Sequence, residues 1–289
     1  MKICVAGLGL IGGSLCMALK RAGFGVAGWN RSLPTLQYAL NNRIIDEAAE
    51  NFLNYDVVFV ALPLEATARF ICTQRFKDGA IISDICGVKS VIEERVFSEK
   101  RNFYYVGCHP MAGKEVSGLE NACAQLFDGA NMVITRNRET DAQALSTVRY
   151  LTEKMGFGRI IECSAKVHDK KIAYTSQLAH IVSNAYVKDE DIESCFGFTG
   201  GSFQDMTRIA GVDEGVWASL YLGNAQNVCE KIDSLINSLA EIKSAVAEGD
   251  ADGLRKVLKT GRELFEESKI YSSCGEISVT EINGGGRKG

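Results

Sequence analysis

The chain has 289 residues, 46% hydrophobic and 24% charged, a balance that suits about two soluble globular domains. A net charge of −4 excludes the basic footprint of a nucleic-acid binder, and no apolar run approaches the roughly 20 residues needed to cross a bilayer. Ten cysteines are scattered singly, without a Cys-x-x-Cys pair or a Cys/His cluster at metal-ligand spacing. They read as free thiols of a reducing compartment, and no metal site is expected.

Met1-Lys2 runs straight into Ile3-Cys4-Val5-Ala6, an apolar stretch fit for a strand buried on both faces. Gly7-Leu8-Gly9-Leu10-Ile11-Gly12-Gly13-Ser14 comes next, then the apolar helix Leu15 to Leu19, ending near Gly23. Strand, glycine turn and helix stand in the order of a dinucleotide-binding fingerprint. Gly7 permits the tight turn, Gly9 lets backbone approach a pyrophosphate, and Gly12 allows close helix–strand packing. Leu10 and Ile11 open the helix, where free N–H groups meet the anion. Removal of a cleavable leader would destroy this glycine motif, so the protein is expected in the cytoplasm.

The second strand is Gly25 to Trp29. An NAD site usually has Asp or Glu past it, on the ribose hydroxyls. Here stand Asn30, Arg31 and Ser32. No carboxylate repels a 2′-phosphate, and Arg31 can pair with one, so NADP is the expected cofactor, with NAD as the alternative. A solvated turn is the other reading of Arg31.

Pro34 to Leu40 predicts a short helix, Asp56 to Leu62 a buried strand stopped by Pro63. Leu62 and Pro63 then lie near the nicotinamide half of the cofactor. Gly79 to Asp84 is a further strand, with a helix from Val88 on. In the loop between them, Lys89 either binds an anion or faces solvent. Phe103-Tyr104-Tyr105-Val106 reads as a buried strand that ends at Gly107-Cys108-His109-Pro110-Met111-Ala112-Gly113. His109 is one of three histidines. Pro110 holds it extended, a strand end points it into the ligand crevice, and imidazole suits proton abstraction near neutral pH. A hydrogen-bonded strand-end histidine without catalytic role is the plain alternative. Ala130 to Thr135 and Arg159 to Cys163 are further strands around the amphipathic helix Ala142 to Met155.

Residues 1–164 thus predict an α/β domain of Rossmann type, a doubly wound and mostly parallel sheet. From 165 to 272 the period turns helical, over His168 to Tyr186, Val216 to Glu248 and Ala251 to Lys269. The long helix carries Leu220, Leu222, Val228, Ile232, Leu235, Leu239 and Ile242, more apolar surface than one small domain buries, which points to a homodimer; an intramolecular bundle is the alternative. Residues 273–289 read as a disordered tail.

These stretches together resemble the prephenate dehydrogenases of tyrosine biosynthesis and their arogenate relatives, from residue 1 to about 270. The glycine loop, Asp84 to Lys89 and His109-Pro110-Met111-Ala112-Gly113 with Glu115 and Ser117-Gly118 carry the likeness in the first half. His168-Asp169, Ser176 to His180, Gly200 to Ala210 and Trp217 carry it in the second. The resemblance implies oxidative decarboxylation of prephenate to 4-hydroxyphenylpyruvate. His109 is then the catalytic base on the 4-hydroxyl. Arg208 grips a substrate carboxylate, His180 binds substrate and His168 lies near the same cleft; for His168 a helix-terminal pairing with Asp169 is the alternative. Trp217 is expected mainly to pack the core.

Two places depart from the family pattern. Many relatives have Gly-Ser where this chain has Cys86-Gly87, which leaves a substrate-orienting hydroxyl to water or to Ser83. Many have Ser-His-Leu-Pro-His where this chain has Ser176-Gln177-Leu178-Ala179-His180, so Gln177 bears on the choice between the keto side chain of prephenate and the amino one of arogenate. Two rival functions fit less of the sequence. A β-hydroxyacid dehydrogenase would use Lys170 or Lys171 but gives the His109 motif no role. A non-catalytic NADP sensor needs no proton acceptor.

Overall fold

A computed structural model describes residues 1–273, with side chains through Lys269. The tail expected to be disordered falls, apart from Ser273, outside the described residues. Six parallel strands form the first sheet in the order β3-β2-β1-β4-β5-β6: β1 Ile3–Ala6, β2 Val26–Trp29, β3 Glu47–Ala48, β4 Val57–Val60, β5 Ile81–Asp84 and β6 Tyr104–Tyr105. β1 and β4 are buried along their whole length. This is why they read as continuous apolar runs: helices cover both faces of a parallel sheet. α1 (Leu10–Arg21) and α5 (Ala142–Lys154) supply apolar residues to one core, and α3 (Leu64–Thr73) and α4 (Ser90–Phe97) to the other. The short α2 (Leu33–Asn41) has Ser32 as its N-cap.

The expected single sheet is in fact two. After β6 the chain enters a three-stranded sheet of β7 (Gly107–Pro110), β8 (Asn131–Thr135) and β9 (Arg159–Cys163). β7 runs antiparallel to β8, and β9 runs parallel to it. His109 is therefore not at the end of the Phe103–Val106 strand. It sits inside β7, opposite Val133. Pro110 fits there because β7 is an edge strand, whose outer side needs no backbone donor.

Lys89 ties the two sheets together. It is 0% exposed, ion-pairs with Asp84 at the end of β5, and donates 2.6 Å to the Cys108 carbonyl of β7. Both expectations for Lys89, anion binding and solvent exposure, are thus corrected. Asp84 also accepts from the Tyr105 hydroxyl at 2.5 Å and the Cys86 N–H at 2.9 Å, so both of its carboxylate oxygens are engaged although the group is fully buried.

Beyond β9 the regular elements are helical among the described residues. Ser164 caps α6 (Ala165–Ile172), which continues through a π-helical turn, Ala173–Gln177, into α7 (Leu178–Tyr186). α8 spans Gly201–Thr207 and α9 Glu214–Gly223, the latter capped by Asp213. The helix expected over Val216 to Glu248 breaks at Asn224. There Gly223 lies so close to Leu64 of α3 that a Cβ would meet its side chain at 2.6 Å. Packing divides the chain into two compact units, Met1–Ala225 and Gln226 onward. Among the described residues the second unit comprises α10 (Ala225–Ala247), from its second residue, and α11 (Ala251–Ser273). Among the described residues no helix is long and apolar enough to cross a membrane, and no His/Cys/Asp/Glu group is placed to hold a metal ion.

Candidate active site

The glycine loop is built for close backbone approach. Gly7 has φ +97°, and a Cβ there would stand 2.3 Å from the Ala61 carbonyl oxygen. A Cβ on Gly12 would lie 1.8 Å from the Gly7 oxygen. Gly9 differs: it is exposed, and nothing lies within 4 Å of its Cβ position. It is also the N-cap of α1, and no side chain caps that helix. Free N–H groups of the first turn therefore face open space, as a pyrophosphate requires. The side chains of Leu10 and Ile11 turn to the core, so these two residues offer backbone N–H groups alone.

At the far end of this loop, Trp29, Asn30, Arg31, Ser32, Leu62 and Pro63 line one cavity of about 470 Å³ with the α3 residues Ala66, Arg69, Phe70 and Thr73, and Gln74. Two expected phosphate partners have other duties. The Asn30 Oδ1 accepts the Leu8 N–H at 3.3 Å, and the Ser32 hydroxyl caps α2. Arg31 stays exposed, and Arg69 joins it from α3. Sequence reasoning misses Arg69. Its spacing from Pro63 holds the signal, since Ala66, Arg69, Phe70 and Thr73 fall on one helical face.

A second cavity, about 560 Å³, is lined by Gly87, His109 to Gly113, Ile172, Thr175 to Gln177, His180, Trp217 and Leu220. The His109 Nε2 lies 3.7 Å from the Cβ position of Gly87, on the cavity side. Its Nδ1 points the other way, to the His168 Nε2 at 2.9 Å. His168 is 2% exposed and does not line the cavity. His168 thus stands next to the cleft but behind His109; the alternative expected for it, pairing with Asp169, is present, with its Nδ1 2.7 Å from Asp169 Oδ1. Burial pushes the His109 pKa well below the ordinary histidine value, and His168 and Lys89 push it the same way. Burial also lowers His168. Burial opposes the charge of Asp169, yet hydrogen bonds from His168, Ser90 and Lys89 hold it below the usual carboxylate range.

His180 lines the cavity from α7, with its Nδ1 3.0 Å from the Ile209 carbonyl and its ring 3.9 Å from that of Trp217. Trp217 is half-buried and forms cavity wall, so core packing is not its main work. Gln177 lines the cavity, but its carboxamide is engaged inside the protein: it donates to the Leu220 carbonyl at 2.9 Å and accepts from Asn224 at 2.7 Å. Arg208 lies in an adjoining cavity of about 620 Å³ that shares Gly113, His180 and Trp217 with the His109 cavity. Its side chain is 64% exposed and pairs with Glu115, so it is a surface partner at the cavity mouth. Ser83 is buried beside the Cys108 thiol and does not line the His109 cavity. The Cys86 thiol turns to the Leu62 carbonyl and Thr67. Lys170 and Lys171 are exposed and line neither cavity, which leaves the β-hydroxyacid reading without its lysine.

A glycine loop shaped for a pyrophosphate and a histidine at a neighbouring cavity define a dehydrogenase of the nicotinamide-dinucleotide class. Comparison with known proteins narrows this. The model "Prephenate dehydrogenase, nucleotide-binding domain" matches residues 15–162, and "Prephenate dehydrogenase, dimerization domain" matches residues 164–260. Together they span most of the chain, which belongs to the prephenate dehydrogenase family. The prephenate dehydrogenase of Bacillus subtilis (strain 168) is 29% identical over 276 residues, 90% of this chain and 74% of that protein. Among solved structures, Aquifex aeolicus prephenate dehydrogenase in complex with hydroxyphenyl propionate and NAD+ is 26% identical, with a TM-score of 0.83 over 92% of this chain and 98% of that one. Synechocystis arogenate dehydrogenase is 25% identical, with a TM-score of 0.78 over 93% of this chain and 100% of that one.

Proposed function

We propose that the protein catalyses the NAD(P)-dependent oxidative decarboxylation of prephenate to 4-hydroxyphenylpyruvate. The observation that carries this is the His109 ring, whose Nε2 faces the cavity while its Nδ1 is held from behind. The bound nicotinamide supplies a hydride acceptor for the ring carbon that bears the hydroxyl. His109 takes the hydroxyl proton as that carbon becomes a carbonyl. The ring carboxylate then leaves as carbon dioxide, and its electron pair flows through the ring to the carbonyl oxygen. That oxygen recovers the proton from His109, and the ring is aromatic. The histidine ends as it began, so a low pKa helps it give the proton back. His180 and, with a shift away from Glu115, Arg208 hold the substrate carboxylates. Residues 165–272 form the substrate and dimer half. The described faces of α10 and α11 leave Ile236, Leu239, Leu258 and Phe265 more than half exposed, which supports a homodimer.

NADP is the cofactor this reading favours. Arg31 and Arg69 line the same cavity, and no carboxylate lines it. Replacing both arginines by Ala is expected to raise the KM for NADP by about tenfold or more, since a charge-assisted hydrogen bond is worth about 1.5 kcal/mol or more. The KM for NAD should change little. Equal effects on both cofactors would remove the arginines from 2′-phosphate recognition.

The pH profile depends on the lowered histidine pKa values. The competent form of His109 is the neutral one, and a depressed pKa keeps it neutral through and below pH 7. The acid limb of kcat/KM is therefore expected below the ordinary value of about 6.5. A limb above that value would mean that another group controls it.

The test of the function is absorbance at the reduced-nicotinamide band with prephenate or arogenate, each with NADP or NAD. Turnover of prephenate supports the proposal. Turnover of arogenate alone keeps the mechanism and moves the side-chain specificity. Silence in all four mixtures, with cofactor still bound, overturns it in favour of a cofactor-sensing role.

A further inference from the structure

We propose that His168 is a positioning residue that fixes the tautomer of His109, leaving the Nε2 bare toward the cavity. The proposal rests on the reading of His109 as the proton acceptor. The chain of hydrogen bonds begins at Asp169. That carboxylate accepts the Lys89 N–H and the Ser90 N–H, both at 2.8 Å, at the start of α4. An ionised carboxylate only accepts, so the His168 Nδ1 facing it at 2.7 Å must carry the proton. A neutral imidazole carries one proton, so the His168 Nε2 is an acceptor. It faces the His109 Nδ1 at 2.9 Å, which must then donate. The remaining nitrogen of His109 has no proton, and it is the one on the cavity side. Burial keeps both rings in the neutral form that this pattern needs.

The opposite tautomer of His109 would set two bare nitrogens against each other at 2.9 Å. The lone pairs would repel, and His168, buried behind the ring, would have no solvent to satisfy its nitrogen instead, which is costly. Asp169 is itself firmly held: its carbonyl accepts from Asn224 at 2.9 Å, and its carboxylate bridges the two backbone N–H groups. The loop residue offers no substitute, because the Cys86 thiol bonds elsewhere. His168 thereby orients the catalytic ring from behind, in a chain where no hydroxyl does so from the Cys86-Gly87 loop.

With three histidines in the chain, the tautomers are directly readable. The experiment is a long-range proton–nitrogen NMR spectrum of the full chain labelled in its imidazole nitrogens, assigned with His109→Asn and His168→Gln. In the wild type, His109 and His168 should both appear as Nδ1–H tautomers, the form free histidine disfavours. Kinetics supply the second readout. His168→Phe removes the acceptor and should lower kcat by roughly 10-fold or more while KM stays close to wild type. His168→Gln restores an amide oxygen for His109 and an N–H for Asp169, and should recover most of the loss. An Nε2–H tautomer at His109 in the wild type, or a His168→Phe enzyme with unchanged kcat, would overturn the proposal. So would a Gln variant as poor as Phe despite a native fold. If no substrate turns over yet the Nδ1–H tautomer is present and is lost in His168→Phe, the tautomer assignment stands and the catalytic reading fails.

Discussion

Replacing His109 by Asn is expected to lower turnover by about 10²–10⁴-fold while cofactor affinity stays close to unchanged. The loss corresponds to roughly 3–5 kcal/mol of transition-state stabilisation. Asn is shorter than His and does not take up a proton at neutral pH, so the hydroxyl would have to lose its proton without a partner as the hydride departs. The residues proposed to hold the cofactor lie on other elements: the glycine loop follows β1, the Arg31 cavity is walled by α3, and neither includes the β7 side chain. Steady-state rates and a fluorescence titration with the reduced cofactor separate the two effects. An equal fall in cofactor affinity would mean that His109 supports the fold of the nucleotide half, and unchanged turnover would remove it from the chemistry.

The second large effect concerns stability. Lys89→Met is expected to destabilise the protein by about 3–5 kcal/mol, because it leaves the Asp84 carboxylate buried without its cation. Both side chains are fully buried, so solvent does not screen the loss. Lys89→Met combined with Asp84→Asn should recover part of the stability, since the uncompensated charge is then gone. Chemical denaturation of the wild type and the single and double variants at one pH measures the coupling. A loss in the double variant equal to the sum of the two single losses would show that the pair is energetically idle.

Much of the first sheet was legible because its requirements are local. A strand buried on both faces must be apolar throughout, and a turn that passes under a pyrophosphate must lack side chains at Gly7 and Gly12. Those constraints are written into consecutive residues. The second sheet was hidden for the opposite reason. β7 is four residues long, ends in proline, and gains its identity from pairing with β8, more than twenty residues on. Lys89 was opaque because nothing in a lone sequence says that a lysine and an aspartate five residues before it will be sealed together. Gln177 lines the cavity, as its motif position led one to expect, but its hydrogen-bond partners, Leu220 and Asn224, come from α9 and the break after it and were not legible. The pairing of His168 with Asp169 was foreseeable from adjacency. Its pairing with His109, across 59 residues, was not.

The placement of His109 inside a paired strand has a consequence for how such an enzyme diversifies. The proposed proton acceptor is mounted on β7, whose register against β8 is set by four residue pairs and whose Cys108 is anchored to Lys89. Across the cavity from β7 and the segment that follows it, the walls come from the π-helical turn, α7 and α9. Mutations that reshape those walls leave the strand undisturbed. Selection can therefore explore new side chains on the substrate ring, amino in place of keto among them, without each time having to rebuild the catalyst.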